Sequence, residues 1–223
     1  MVAPVSFEKS PAETRQALLE AAAGVFAEAG YQAATVREIC LRAGANIASV
    51  NYHFGDKEKL YLEVFRYTQR LAFEKYPPDF GLQAGASPEA RLKAYIRSFL
   101  SRIFDEGPIA WHGRLMAREM IEPTRVLDTL VEERMRPQAD LLMGIIRELL
   151  GPKTDRERIR LCGFSVVSQC LFFHHCRPAL ERLFPEQKFS LNEMEKLATH
   201  ITEFSLAALK PPATRKNKRG IEL

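Results

Sequence analysis

The chain has 223 residues, a formal net charge of +4 and 46% hydrophobic residues, enough apolar surface for a small head plus one ligand-sized helical domain. No apolar run approaches the roughly eighteen residues that span a membrane, and Met1 to Val5 lacks the basic stretch and apolar core of a secretory signal, so the expectation is a cytoplasmic protein with no membrane partner. The positive charge does not itself argue for nucleic acid: residues 1–60 hold six Lys/Arg against seven Asp/Glu, while Lys210 to Arg219 holds five basic residues and no acid.

Taken in order, the first predicted helix is capped by Ser10, carries Pro11 at its first position and runs to Ala29 before Gly30. Its stripe of Leu18, Ala22, Val25 and Phe26 faces a small core. Thr35 with Glu38 three residues on forms a capping box for a second helix, which Gly44 stops. Ala45 and Asn46 complete a tight turn into a third helix. There Ile47, Val50 and Phe54 share the inward side, while Ala48, Ser49, Tyr52 and His53 face away and Asn51 lies at the boundary. After Gly55, Asp56 caps a fourth helix that continues through Leu60, Val64 and Leu71 to about Lys75, long enough to carry a shift from one domain to the other.

The spacing is that of a helix-turn-helix, and the outward face of its second helix is small, polar and aromatic. Ser49 and Asn51 can hydrogen-bond base edges, Ala48 can contact a thymine methyl, and Tyr52 and His53 can reach phosphates. Lys57, beside the free N–H groups of the fourth helix, can grip a phosphate. A small-residue helix packed on another protein is the alternative that the spacing leaves open.

Ala21 to Phe26, Gly30-Tyr31, Thr35 to Ile39, Ala43-Gly44 and Tyr52 to Leu60 together resemble the DNA-binding head of TetR-family transcription regulators, over about the first quarter of the chain. The resemblance implies an all-α homodimer that is not an enzyme and has no catalytic residue. A head at 1–58 would bind a palindromic operator in double-stranded DNA, and a domain at 59–210 would bind a small molecule that releases it. By that likeness Thr35, Arg37, Asn46, Ala48, Ser49, Asn51, Tyr52, His53 and Lys57 fall on DNA-contact positions. Many members carry Tyr where this chain has Asn51, which implies a different operator.

Beyond the head, Tyr76 to Ser87 is a Pro/Gly-rich break before a helix starting at Pro88, with a stripe of Leu92, Tyr95, Ile96, Phe99, Leu100 and Ile103. The stretch Ile109 to Ile121 holds the only Trp, and Trp111, His112, Arg114 and Arg118 are candidates for an effector pocket, although such residues also build plain core. Arg118-Glu119 followed by Pro123-Thr124 resembles the CecR-like branch of the same family. A helix from about Pro123 to Leu150 follows, then one from Arg156 to Cys176 that is apolar nearly all round and needs a partner, with Gly163, Ser165 and Ser168 permitting close approach. With the last helix, Leu191 to Leu209, it resembles the family's four-helix dimer interface, to which Phe164, Val167, Leu171, Leu197, Ile201 and Phe204 are assigned.

Four cysteines without a CxxC pair read as buried thiols rather than a disulfide framework. Cys170 and His174, four apart on one helix, keep a metal- or redox-sensing alternative open beside simple packing, and a small-molecule-processing enzyme is the remaining alternative. No cofactor or metal is expected. Residues 211–223 read as a basic, Pro-broken tail.

Overall fold

A computed structural model describes residues 9–209, so the expectations for the first five residues and for the basic tail lie outside the described residues. The described residues are helical, with no strand among them. They divide into two compact units: one ends at Pro77 and resumes over Arg102–Arg136, and the other comprises Pro78–Ser101 and the residues from Pro137 onward.

In the first unit, α1 (Pro11–Ala33) opens with a reciprocal capping box, Glu13 N donating to Ser10 Oγ at 3.2 Å and Ser10 N donating to Glu13 at 2.7 Å. Its regular helix breaks at Gly30. α2 (Val36–Ala43) begins at Thr35, whose hydroxyl accepts from Glu38 N at 3.1 Å. The expected reciprocal half of that box is absent, because the Glu38 carboxylate pairs instead with Arg42 at 2.7 Å. Gly44 ends α2 in the left-handed conformation at φ 61°, ψ 43°, which costs a residue without Cβ nothing. Lys9 Nζ donates to Ala43 O at 2.8 Å and covers the carbonyl end of the same helix.

α3 (Ile47–Phe54) starts at Asn46, whose side chain accepts from Ala48 N at 2.9 Å, and α4 (Lys57–Lys75) starts at Asp56, whose carboxylate accepts from Lys59 N at 2.8 Å. Leu18, Ala22, Val25 and Phe26 of α1 are fully buried with Ile39, Val50, Leu60 and Val64, the expected three-helix core extended by α4. Ile47 is a correction: it was expected on the inward side and is 53% exposed, since in so short a helix only Val50 and Phe54 reach the core.

After a 3-10 turn at Gly107–Ile109 come α6 (Ala110–Ile121) and α7 (Leu127–Leu130), which add Leu115 and Leu130 to the same core, with Val126 just before α7. A π-helical turn, Val131–Met135, follows. The preceding helix α5 (Pro88–Phe104) belongs mostly to the second unit and contributes Arg102 to Phe104 to the first. The head expected over residues 1–58 thus lies within the first unit together with α4, α6 and α7.

The second unit contains most of α5, α8 (Arg136–Leu150), α9 (Arg156–His175), α10 (Arg177–Leu183) and α11 (Leu191–Leu209). Leu92, Ile96 and Leu100 of α5 are buried, as their stripe requires. So are Leu142, Ile145 and Ile146 of α8, Ile159, Val166 and Cys170 of α9, and Met194, Ala198 and Ile201 of α11. Gly163, expected to let a partner helix approach, is buried against α8 of its own chain: a Cβ there would stand 2.6 Å from Met143 Sδ. α10, with Pro178 in its first turn, was not among the expected elements.

Candidate functional site

Two short capped helices and the Gly44 turn hold α3 with one side in the core and the other in solvent. Ala48, Asn51 and Tyr52 are exposed, Tyr52 by 80%, and Ser49 and His53 are half-buried. The Tyr52 and His53 rings meet edge to face with centroids 4.8 Å apart, which stiffens both without engaging the phenol oxygen. Thr35, Arg37 and Asn46 are exposed around this face, and Arg37 forms no ion pair among the described residues. Arg42, by contrast, is held by Glu28 at 2.8 Å and by Glu38.

Lys57 is held in place by neighbours rather than projecting freely. Its ammonium stands 4.5 Å from the centroid of the Tyr31 ring and 3.4 Å from Gln32 O, and burial lowers its pKa. Leu41, 81% exposed, and Ile47 add apolar surface to the helix pair that the periodicity did not single out.

The four pocket candidates on α6 separate. Trp111 packs toward α1, its ring 3.7 Å from where a Cβ on Gly24 would lie. Arg114 is exposed. Arg118 pairs with neither neighbouring Glu: its guanidinium donates to Ala27 O at 3.1 Å and Glu28 O at 2.6 Å, capping the carbonyl end of α1. The next residue, Glu119, is fully buried and accepts from Tyr61 Oη at 3.1 Å, from Thr124 N at 2.8 Å and from Thr124 Oγ1 at 2.9 Å. His112 is half-buried. Part of the residue reaches the surface, but its Nδ1 is buried without a hydrogen-bond partner. Burial first, and then the guanidinium charges of Arg102 and Arg134, push its pKa down to about 3, so the imidazole is neutral at physiological pH.

Of the assigned interface residues, Phe164 and Phe204 are 56% and 61% exposed, and Val167, Leu171 and Leu197 are half-buried. Ile201 is a correction: it is fully buried in its own unit, because the inward face of α11 runs through Met194, Ala198, Ile201 and Ser205 rather than along the expected stripe. Cys170 is 1% exposed and burial pushes its thiol up to about 12, so it holds little thiolate. Among the described residues no group of three His, Cys, Asp or Glu is placed to hold a metal ion, and no helix is long and apolar enough to cross a membrane.

The capped helix pair, its glycine turn and the acid-free face of α3 define a DNA-binding protein of the helix-turn-helix class. Residues 18–64 match the bacterial regulatory proteins of the tetR family, and residues 88–209 match the C-terminal domain of the HTH-type transcriptional dual regulator CecR. The chain belongs to the TetR family of transcription regulators, in its CecR-like branch, and is not an enzyme. It is 26% identical to CecR of Shigella flexneri over 72% of this chain and 75% of that one. It is 33% identical to the regulator BetI of Rhizobium meliloti over 65% of this chain and 70% of that one. Among solved structures, AibR in complex with isovaleryl coenzyme A and operator DNA shares the fold with a TM-score of 0.62 at 19% identity, covering 86% of this chain and 97% of that one.

Proposed function

We propose that the chain is a cytoplasmic, ligand-responsive repressor whose two heads, in a homodimer, read the half-sites of a palindromic operator. The outward face of α3 is the observation that carries this reading. It offers Ser49 and Asn51 to base edges, Ala48 to a thymine methyl, and Tyr52 and His53 to the phosphates, with no acidic side chain to repel them. Thr35, Arg37, Asn46 and Lys57 flank it as backbone contacts. In a two-fold dimer the two α3 helices enter successive major grooves about 34 Å apart.

Selection of bound sequences from a random duplex pool by the purified protein, at two salt concentrations, tests the reading. A palindromic site that survives the higher salt supports it, and sequence-indifferent binding lost with salt overturns it. Within that assay Lys57→Ala lowers the slope of log affinity against log salt by about 0.9, whereas Tyr52→Ala weakens all sites roughly tenfold with the slope kept. Asn51→Ala relaxes preference at one base pair in each half-site, by about 1–3 kcal/mol. An equal loss on every operator would remove Asn51 from base reading.

Dimerisation is supported by Leu161, Phe164 and Phe172 of α9 and Phe204 of α11, large apolar side chains each more than half exposed on the single chain. Light scattering of the purified protein at micromolar concentration should give twice the chain mass, and a single-chain mass would sink the dimer. The AibR complex contains isovaleryl coenzyme A together with operator DNA, and we assign to this chain a small-molecule ligand beside its operator. The buried, high-pKa thiol of Cys170 argues against the redox alternative.

A further inference from the structure

Ile47 opens α3 and is 53% exposed, on a helix whose core contacts are made by Val50 and Phe54. A single exposed isoleucine means nothing by itself, and its neighbours are what give it a role. Residues three and four apart share a helix face with Cβ atoms about 5–6 Å apart, so Ile47 stands beside Asn51, and Ala48 stands beside Asn51 and Tyr52. Ala48, Asn51 and Tyr52 are all exposed with it. The side-chain oxygen of Asn46, the residue before Ile47, is committed to Ala48 N at 2.9 Å. The leading end of this exposed face therefore presents the sec-butyl group of Ile47 and the methyl of Ala48, and α3 carries no acidic side chain.

In a helix-turn-helix the N-terminal residues of the second helix are the ones that lie against base edges in the major groove. What an aliphatic side chain can recognise there is the C5-methyl group of thymine, because every other major-groove marker is a hydrogen-bond donor or acceptor that it would leave unpaired. Asparagine does the opposite and pairs both ends of its amide with adenine N6 and N7. Base pairs are about 3.4 Å apart along the duplex, so two side chains about 5–6 Å apart reach base pairs one or two steps apart.

We infer that Ile47 is a specificity-determining residue that reads a thymine methyl in each half-site, one or two base pairs from the base read by Asn51. This rests on the operator-reading proposal above and adds to it a second, apolar base position. The methyl packs on the sec-butyl group and both lose water, whereas uracil, identical to thymine but for that methyl, leaves the contact unmade.

The test takes the operator found by selection with the full chain and replaces its thymines by deoxyuridine, one symmetric pair of positions at a time, which removes a methyl from the major groove and leaves base pairing unchanged. At one such pair, one or two base pairs from where Asn51→Ala relaxes preference, the replacement should weaken binding about fifteenfold, or about fourfold for each half-site, the effect of one buried methyl group. Ile47→Ala should bind the unmodified operator more weakly and should discriminate thymine from uracil at that pair by no more than about twofold, while methyl effects at other positions are kept. Ile47→Val should keep part of the discrimination. Because Ile47 lies outside the core, the alanine variant should retain the helical circular dichroism of the parent chain. The inference is overturned if no thymine is selected within about two base pairs of the Asn51 base, if Asn51→Ala relaxes no base, or if deoxyuridine is tolerated at every position in that range. It is overturned equally if Ile47→Ala weakens thymine and uracil operators alike and keeps their ratio, which would put Ile47 against the sugar-phosphate backbone. In each of those cases a palindromic operator still upholds the regulator proposal, whereas sequence-indifferent binding lost with salt refutes that proposal and the methyl contact with it.

Discussion

Glu119→Ala lowers the unfolding free energy by about 3 kcal/mol, the cost of orphaning several donors at once in a buried place. The Glu119 side chain is fully buried, and its two oxygens serve different elements: one accepts from Tyr61 of α4, the other from the backbone N and the hydroxyl of Thr124 in the turn before α7. Tyr61 cannot turn elsewhere, because its ring is wedged against Phe26, Tyr31 and Phe65 with centroids 4.7 to 4.9 Å away. Burial, reinforced by the charge of Glu119, raises its pKa far above the ordinary phenol value, so it remains a hydroxyl donor at every pH at which the protein is handled. Thr124 is only half-buried and recovers part of its loss from water, which holds the total below a plain sum of three bonds. Glu119→Gln is the control: an amide can present its oxygen to Thr124 and its NH2 to the Tyr61 oxygen, so it should cost about 1 kcal/mol. Urea unfolding followed by circular dichroism measures both. A loss under 1 kcal/mol for the alanine variant would mean that water replaces the carboxyl group, and equal losses for the two variants would mean that charge rather than hydrogen bonding is what the site requires.

What could be read from the sequence follows how local each determinant is. Ser10, Thr35 and Asp56 all cap the helices they precede, and Gly44 takes the left-handed conformation expected of it, because each depends on atoms within a few residues; Asn46, expected only as a turn residue, caps α3 as well. Glu38 shows where local reasoning fails. Its spacing from Thr35 suits a capping box, but Arg42 one turn on offers a full charge and takes the carboxylate. Ile47 and Ile201 fail for a related reason: periodicity identifies a stripe, and only packing decides which edge of the stripe is covered. Arg118 was half legible: it stood out as a pocket candidate, but its hold on the carbonyls of Ala27 and Glu28 depends on contacts far apart in the chain.

Gly30→Ala should cost about 3 kcal/mol, from two sources that a second substitution separates. Gly30 sits at φ 78°, ψ 171°, a region essentially closed to residues with a Cβ, so alanine there either stores about 2 kcal/mol of backbone strain or unwinds the last turn of α1. The new Cβ would also stand 3.1 Å from Arg118 Nη1, close enough to push the guanidinium off the carbonyls of Ala27 and Glu28. That second part is worth about 1 kcal/mol, the value for charge-assisted bonds discounted because Arg118 is exposed. Arg118→Ala alone should therefore cost about 1 kcal/mol, and in its background Gly30→Ala should cost only the backbone part, about 2 kcal/mol. The coupling of about 1 kcal/mol is the free energy with which α6 holds the end of α1, and α1 packs directly on α2, which carries the turn into α3. A displacement of α6 that breaks the Arg118 clamp thus has a route to α3 through contacts within one compact unit. If Gly30→Ala costs the same with and without Arg118, the clamp carries no coupling and this route is lost. If it costs under 0.5 kcal/mol in either background, the backbone at Gly30 is not constrained as its dihedral angles require.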